Sequence, residues 1–245
     1  MLQTYLENLR QSPSFTYRDD FIARNETEGY CMVICLADLT HHADRIIERE
    51  ISHFADLGLG FEWCLYSSDL PSDLRSKLET RGFEIKPKEV ICMIDVECLT
   101  FPENSPCRVE RIQTKQHLTD FRLVAEEVFK KDFAFTTGIL AKAIEIGSTI
   151  ETGFVAYDEE TPVSIGRLFR RDNSPCGTLY TGATREPWRG KGYYRAVIQA
   201  RGEFAKQMGV KYLSVDALPT SLSILLRHGF EPIVESWPCI WHRQE

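Results

Sequence analysis

The sequence predicts an α/β fold built from two related halves, and three observations carry that prediction. Strand-like and helix-like patterns alternate beyond residue 107. One series of elements, helix–glycine–strand–helix–Gly-Phe-Glu, occurs twice along the chain. The composition, 43% hydrophobic and 27% charged over 245 residues, suits ordinary packed cores in one large domain or two small ones.

Taken in order, residues 42–57 read as a helix with Ile47, Ile51 and Phe54 on one face, stopped by Gly58. A strand at 61–66 and a helix at 71–80 follow, ending in Arg81-Gly82-Phe83-Glu84. The stretch 99–106 holds two prolines, Asn104 and Ser105 and marks the break between a domain over 1–100 and another over 107–245. Past it come a strand at 108–113, helices at 117–129 and 138–146, and strands at 153–157, 163–169 and 177–183. Turns at Glu159-Glu160 and Asp172-Asn173 separate those three strands. A long helix at 192–208, with Tyr193, Val197, Ala200, Phe204 and Met208 as its apolar face, is closed by Gly209. A strand at 211–215, a helix at 221–228, Arg227-His228-Gly229-Phe230-Glu231 and terminal strands complete the pattern.

Net charge is −7, so attraction to nucleic acid or anionic lipid is not expected. Residues 1–10 carry Glu7 and no apolar run of signal-peptide length, and no stretch of about eighteen apolar residues occurs. A cytoplasmic protein is therefore expected. The eight cysteines form no CxxC pair and read as reduced core thiols, with no metal expected. A zinc site from Cys31, Cys35, His41 and His42 is disfavoured, because adjacent histidines seldom aim at one ion.

Chemistry concentrates between Leu179 and Ala196. A strand leads through Pro187 and Trp188 into Arg189-Gly190-Lys191-Gly192-Tyr193-Tyr194, and then into the long helix. Glycines let a backbone approach an anion closely, and the first N–H groups of a helix point outward with the positive end of its dipole. The spot suits a pyrophosphate. A Walker loop fails because Gly192 follows Gly190-Lys191 and Arg185 stands where its first glycine would fall. A dinucleotide GxGxxG fails at Arg195.

The loop Arg189-Gly190-Lys191-Gly192 resembles the R/Q-x-x-G-x-G/A segment of the GNAT superfamily of N-acetyltransferases. There too the loop follows the fourth strand and precedes a long helix, a fifth strand, another helix and a Gly-Phe, here Gly229-Phe230. The resemblance covers residues 107 to 241 for fold and 179 to 230 for motifs. It implies a mixed central sheet flanked by helices, preceded by a smaller degenerate GNAT-like half, as in tandem-GNAT proteins. That first half lacks the loop, reading Leu39-Thr40-His41-His42-Ala43-Asp44 before its helix.

The resemblance further implies acetyl-CoA as co-substrate, held by Arg189–Tyr194 and by the backbone of Thr181, Gly182, Ala183 and Thr184 where two strands splay. Acetyl transfer would go directly to an amine of a small molecule, amino acid or peptide, with a backbone N–H within 182–184 polarising the carbonyl. Cys176 then need not be a nucleophile. Two departures from the pattern stand out. Tyr194 replaces the second glycine or alanine, and Leu225 replaces a tyrosine that acts as acid. Asp216 is the candidate base and Tyr180 a candidate for the missing acid, with His228 a lesser one. Arg167, Arg170 and Arg171 are candidates for reading an acceptor's anionic group. The alternative is an acyl-CoA-binding module without catalysis.

Overall fold

The computed structural model describes residues 1–12, 15–27, 30–99, 107–171 and 174–243. The first half runs α1 (Leu2–Arg10), β1 (Tyr17–Arg18), β2 (Ile22–Thr27), β3 (Tyr30–Cys35), α2 (Ala43–Asp56), β4 (Phe61–Tyr66), α3 (Leu74–Glu79), β5 (Glu84–Ile85) and β6 (Glu89–Asp95). The second half runs β7 (Arg108–Arg111), α4 (Lys115–Phe129), α5 (Ala134–Glu145), β8 (Glu151–Asp158), β9 (Thr161–Arg170) and β10 (Cys176–Thr184). It ends with α6 (Tyr193–Gln207), β11 (Tyr212–Ala217), α7 (Pro219–Arg227) and β12 (Glu231–Trp241). The fold is mixed α/β.

Two compact units emerge, and their segments alternate along the sequence. One holds Met1–Ile91, Ala217–Leu222 and Pro232–Glu245, the other Cys92–Asp216 and Ser223–Glu231. This differs from a single cut between 100 and 107, because β12 pairs along β4 from Ser236↔Tyr66 to Trp241↔Phe61. Most of the proline-containing break (100–106) and the Asp172-Asn173 turn lie outside the described residues.

In the first unit the strands run β1-β2-β3-β4-β12, with β5 beside β12. Trp63 and Phe54, each 0% exposed, anchor its core, and the Phe54 and Phe61 rings stack at 4.3 Å. In the second unit they run β11-β10-β9-β8-β7, with β6 next to β11. Helices α4 and α5 cover one face, where Ile112, Phe121, Val124, Leu140, Val155 and Ile165 pack together.

The internal repeat shows in the pairing. β2–β3 is antiparallel and β3–β4 parallel, with α2 as crossover. β9–β10 is antiparallel and β10–β11 parallel, with α6 as crossover. A hairpin, a helix and a parallel strand thus recur in the same order.

Element bounds moved where a side chain overrode local pattern. Helix α5 starts before Gly138, at Ala134, whose N–H donates to the Asp132 carboxylate at 2.9 Å. The terminal strands are one strand, β12. The buried face of α6 includes Arg201 and Gly202, whereas Ala200 is only half-buried and Met208 is 37% exposed. Strands β2 and β6 were not anticipated. No helix of the described residues is long and apolar enough to cross a membrane.

Candidate active site

The site develops where β10 and β11 part. Their parallel register covers Cys176↔Tyr212, Gly177↔Leu213 and Thr178↔Ser214, although β10 continues to Thr184 and β11 to Ala217. A hydrogen bond of 3.1 Å between the Thr178 and Ser214 hydroxyls closes the last rung. Beyond it β10 also slips against β9. Tyr180 opposes Arg167 and Ala183 opposes Ile165, so one extra residue is accommodated between them. Thr181 takes φ +51° in that bulge, a left-handed conformation costly for a β-branched residue. Strain of this kind persists only where the surroundings enforce it.

The glycine loop follows directly. Arg185 is anchored by Glu127 at 2.7 Å, and a 3₁₀ turn at Glu186–Trp188 leads to Arg189, whose Nε donates to the Thr184 carbonyl at 3.1 Å. Asp158, at the end of β8, grips both sides of the loop. Its carboxylate accepts from the Trp188 indole N–H and from the Tyr193 hydroxyl, each at 2.7 Å. Those hydrogen bonds hold the Asp158 carboxyl below the usual carboxylate range, and they push the Tyr193 phenol up to about 12.

The cradle tests well against a pyrophosphate. Gly190 and Gly192 sit at φ +75° and +93°, and a Cβ on Gly190 would meet nothing within 4 Å. No side chain caps α6. The first helical bond is Ala196 N–H to the Gly192 carbonyl, so the amides of Tyr193, Tyr194 and Arg195 remain to be satisfied from outside. Arg189 and Lys191 are exposed beside them.

The two tyrosines contribute backbone rather than side chain. Tyr193 is 7% exposed, its ring turned to Asp158. Tyr194 lies back over β10, where a Cβ on Gly182 would come within 2.8 Å of its ring. Its hydroxyl is among the groups that act electrostatically on the buried Arg201 guanidinium. The departure from a small residue at 194 is therefore absorbed by a glycine at 182.

A row of polar groups crosses the sheet face shared with α4 and α5. It comprises Glu151 on β8, Arg167 on β9, Tyr180 on β10 and Asp216 on β11. Arg167 lies over the Tyr180 ring, 5.5 Å from its centroid, and its Nε stands 3.5 Å from Glu151 Oε2. Burial pushes the Tyr180 phenol well up, the Asp216 charge raises it further, and Arg167 opposes them. Tyr180, 37% exposed, thus keeps its proton at neutral pH. Burial likewise raises the Glu151 carboxyl. Beside Glu151 a cavity of about 310 Å³ opens, walled by Ile112, Leu140, Ala143, Thr149 and Gly153.

The remaining candidates divide. Arg170 hydrogen-bonds the Thr149 hydroxyl, and the Arg171 guanidinium lies over the Phe169 ring at 5.5 Å. Cys176 is 4% exposed and its thiol is pushed up to about 11 by burial, which suits a packed strand residue rather than a nucleophile. Leu225 is fully buried. His228 is held below the usual imidazole value by burial and by Arg195 and Arg227. Sequence reasoning missed Asp158, Gly166 and Arg201. Asp158 was legible only as the start of a turn, and Arg201 only as one charge inside an apolar helix pattern.

The Asp158 grip is testable without any ligand. Asp158→Ala is expected to speed trypsin cleavage at Arg189 or Lys191 severalfold, as mapped by mass spectrometry. Because the folded carboxyl is depressed, the grip holds above the ordinary Asp value of about 4 and is lost as pH falls below it. Trp188 emission should therefore stay constant from pH 8 to 5 and change below that.

The model of the acetyltransferase (GNAT) family matches residues 119–230, the segment holding the bulge, the loop and α6. Over those residues the chain is similar to a GNAT domain. Solved GNAT structures extend the likeness over both units. A GCN5-related N-acetyltransferase from Kribbella flavida aligns with 98% of this chain and 93% of its own at 11% identity, TM-score 0.73. One from Sphaerobacter thermophilus aligns over 90% and 76% at 13% identity, TM-score 0.63. A tandem GNAT protein from the clavulanic acid biosynthesis pathway aligns over 89% and 77% at 12% identity, TM-score 0.58. At such identities the likeness is one of fold. No curated protein sequence matches the chain. The GNAT fold supports acyl transfer from acyl-CoA in general.

Proposed function

We propose that the protein is an acetyl-CoA-dependent N-acetyltransferase acting on an amine of a small molecule, amino acid or peptide. The observation carrying this reading is the adjacency of three features in one unit: parted strands, a bulge between them, and a helix start with unpaired amides. Acetyl-CoA would supply the activated acetyl group as a thioester. Arg189, Gly190, Lys191 and Gly192 with the Tyr193 and Tyr194 amides would hold its pyrophosphate. The backbone of Thr181, Gly182, Ala183 and Thr184 would pair with its pantetheine amides.

In the transfer a C–N bond forms to the acceptor, the C–S bond breaks, the amine loses a proton and the thiolate gains one. Asp216, exposed on β11 beyond the last rung, is assigned to take the amine proton. Tyr180, protonated at neutral pH, is assigned to donate to the thiolate. Arg167 and Glu151 border the acceptor side, and the cavity beside Glu151 gives its carbon body room.

The second reading, binding without catalysis, is favoured by Leu225, which is 0% exposed and offers no proton. Incubation with acetyl-CoA and a broad amine panel separates the two. Released thiol with at least one amine supports the enzyme, and binding without release supports the module.

One coenzyme per chain is expected. In the first unit the amides of His42 and Ala43 both bond the Leu39 carbonyl at 2.8 Å, and Asp44 stands in the first turn of α2, paired with Lys77 and Arg81. That helix start has little left to offer an anion. Calorimetric titration of the full chain should give a stoichiometry near one; two equivalent sites would refute the reading of the first half.

A further inference from the structure

Arg201 is the outlier of the second unit. It is 1% exposed, and no carboxylate of the described residues pairs with it. Burying a guanidinium without a counter-charge costs several kcal/mol unless neutral acceptors replace water. Here they do. Nε donates to the Val197 carbonyl at 3.2 Å, and one terminal nitrogen, Nη1, reaches the carbonyls of Arg167 at 3.2 Å and Tyr180 at 3.4 Å. The Tyr194 side chain adds a further polar influence on the guanidinium. The slot exists because residue 166 is glycine: a Cβ there would fall 2.7 Å from the guanidinium carbon and 2.8 Å from Nε. An apolar side chain could fill such a slot at lower cost, so packing does not explain the cation.

Its position does. We propose that Arg201 is a positioning residue that polarises the Tyr180–Thr181 peptide, making the Thr181 N–H the donor to the acyl carbonyl oxygen. The inference rests on the acyltransfer reading above and names a partner of that same site. In a trans peptide the C=O and N–H point in opposite directions. Because one nitrogen of Arg201 touches both the Tyr180 and Arg167 carbonyls, the Tyr180 oxygen faces β9. The Thr181 N–H therefore faces the β11 side, where pairing has already ended at Thr178↔Ser214. A cation on the carbonyl withdraws electrons through the amide and strengthens that N–H as a donor. The left-handed turn at Thr181 redirects the chain immediately after this peptide, leaving the N–H at the mouth of the gap. This places the donor one residue before the 182–184 stretch that the sequence favoured.

The test uses the full chain and acetyl-CoA labelled with ¹³C at the acetyl carbonyl. Isotope-edited infrared spectroscopy reads the polarisation of the bound carbonyl directly, and steady-state kinetics with an accepted amine reads its consequence. In the wild type the carbonyl stretch should move to lower frequency than for free acetyl-CoA. Arg201→Met should lose half or more of that shift and lower kcat roughly tenfold to a hundredfold, while KM for acetyl-CoA stays within about twofold. Arg201→Lys, keeping a cation, should restore part of both. If Arg201→Met does not fold, Gly166→Ala serves instead, since its methyl must displace the guanidinium. An unchanged shift in a folded variant, or equal losses of kcat and affinity, overturns the proposal. A wild type that binds no acetyl-CoA overturns the function itself, and a wild type that binds it without any carbonyl shift overturns only this inference.

Discussion

Asp216→Asn is expected to lower turnover by roughly a hundredfold while leaving acetyl-CoA affinity nearly unchanged. The substitution keeps shape and removes charge. Asp216 is exposed two residues past the last β10–β11 rung, so the loss should not propagate into packing. Its charge reaches the groups that matter, since it raises the Tyr180 phenol across the gap and adds to burial in lifting the Cys92 thiol to about 11. An acceptor ammonium entering between β10 and β11 would meet that same charge. Initial rates from pH 6 to 9 provide the check. Full turnover by Asp216→Asn across that range would mean the amine loses its proton to water, and the assignment would be wrong.

Gly192→Val should weaken coenzyme A binding on the order of a hundredfold. Residue 192 sits at φ +93°, and a β-branched residue forced there pays roughly 1–3 kcal/mol. The loop can escape that strain only by rotating, and rotation re-aims the amides of Tyr193, Tyr194 and Arg195. Arg189→Glu adds an electrostatic version of the same test. It reverses the charge beside the helix start and breaks the bond to the Thr184 carbonyl, costing several kcal/mol at most. Calorimetry with unaltered affinity in both variants, their thermal transitions intact, would remove the loop from the site.

Much of this was legible along the chain because it is local. Glycines that need positive φ, a helix start with basic neighbours and the repeated order of elements are matters of a few adjacent residues. The loop 189–194 could therefore be singled out as a candidate without a structure, as could the first half's lack of such a loop, with Asp44 in its place. Helix periodicity marked α2 and α6 well, yet it misjudged the α6 face. An arginine in an apolar stripe reads as an interruption, and only the glycine at 166 on another strand makes room for it.

The rest depended on partners far away in sequence. Asp158 shapes the loop through Trp188 and Tyr193, some thirty residues on, and nothing in a turn of acidic residues announces that. The bulge at Thr181 arises from register against β9, which local pattern cannot specify because it is set by hydrogen bonds to a partner strand. The C-terminal strand belongs with β4, not with the half that encodes it, since pairing is chosen by the edge a strand meets in space. By itself, then, the sequence determined the class of the fold, the glycine-rich helix start at 189–194 and the absence of such a loop before the helix of the first half, all set by backbone conformation and charge over short spans. Tertiary structure alone decided where the strands part, which amide faces the gap and which buried cation stands behind it, because those follow from hydrogen bonds between residues that only folding brings together.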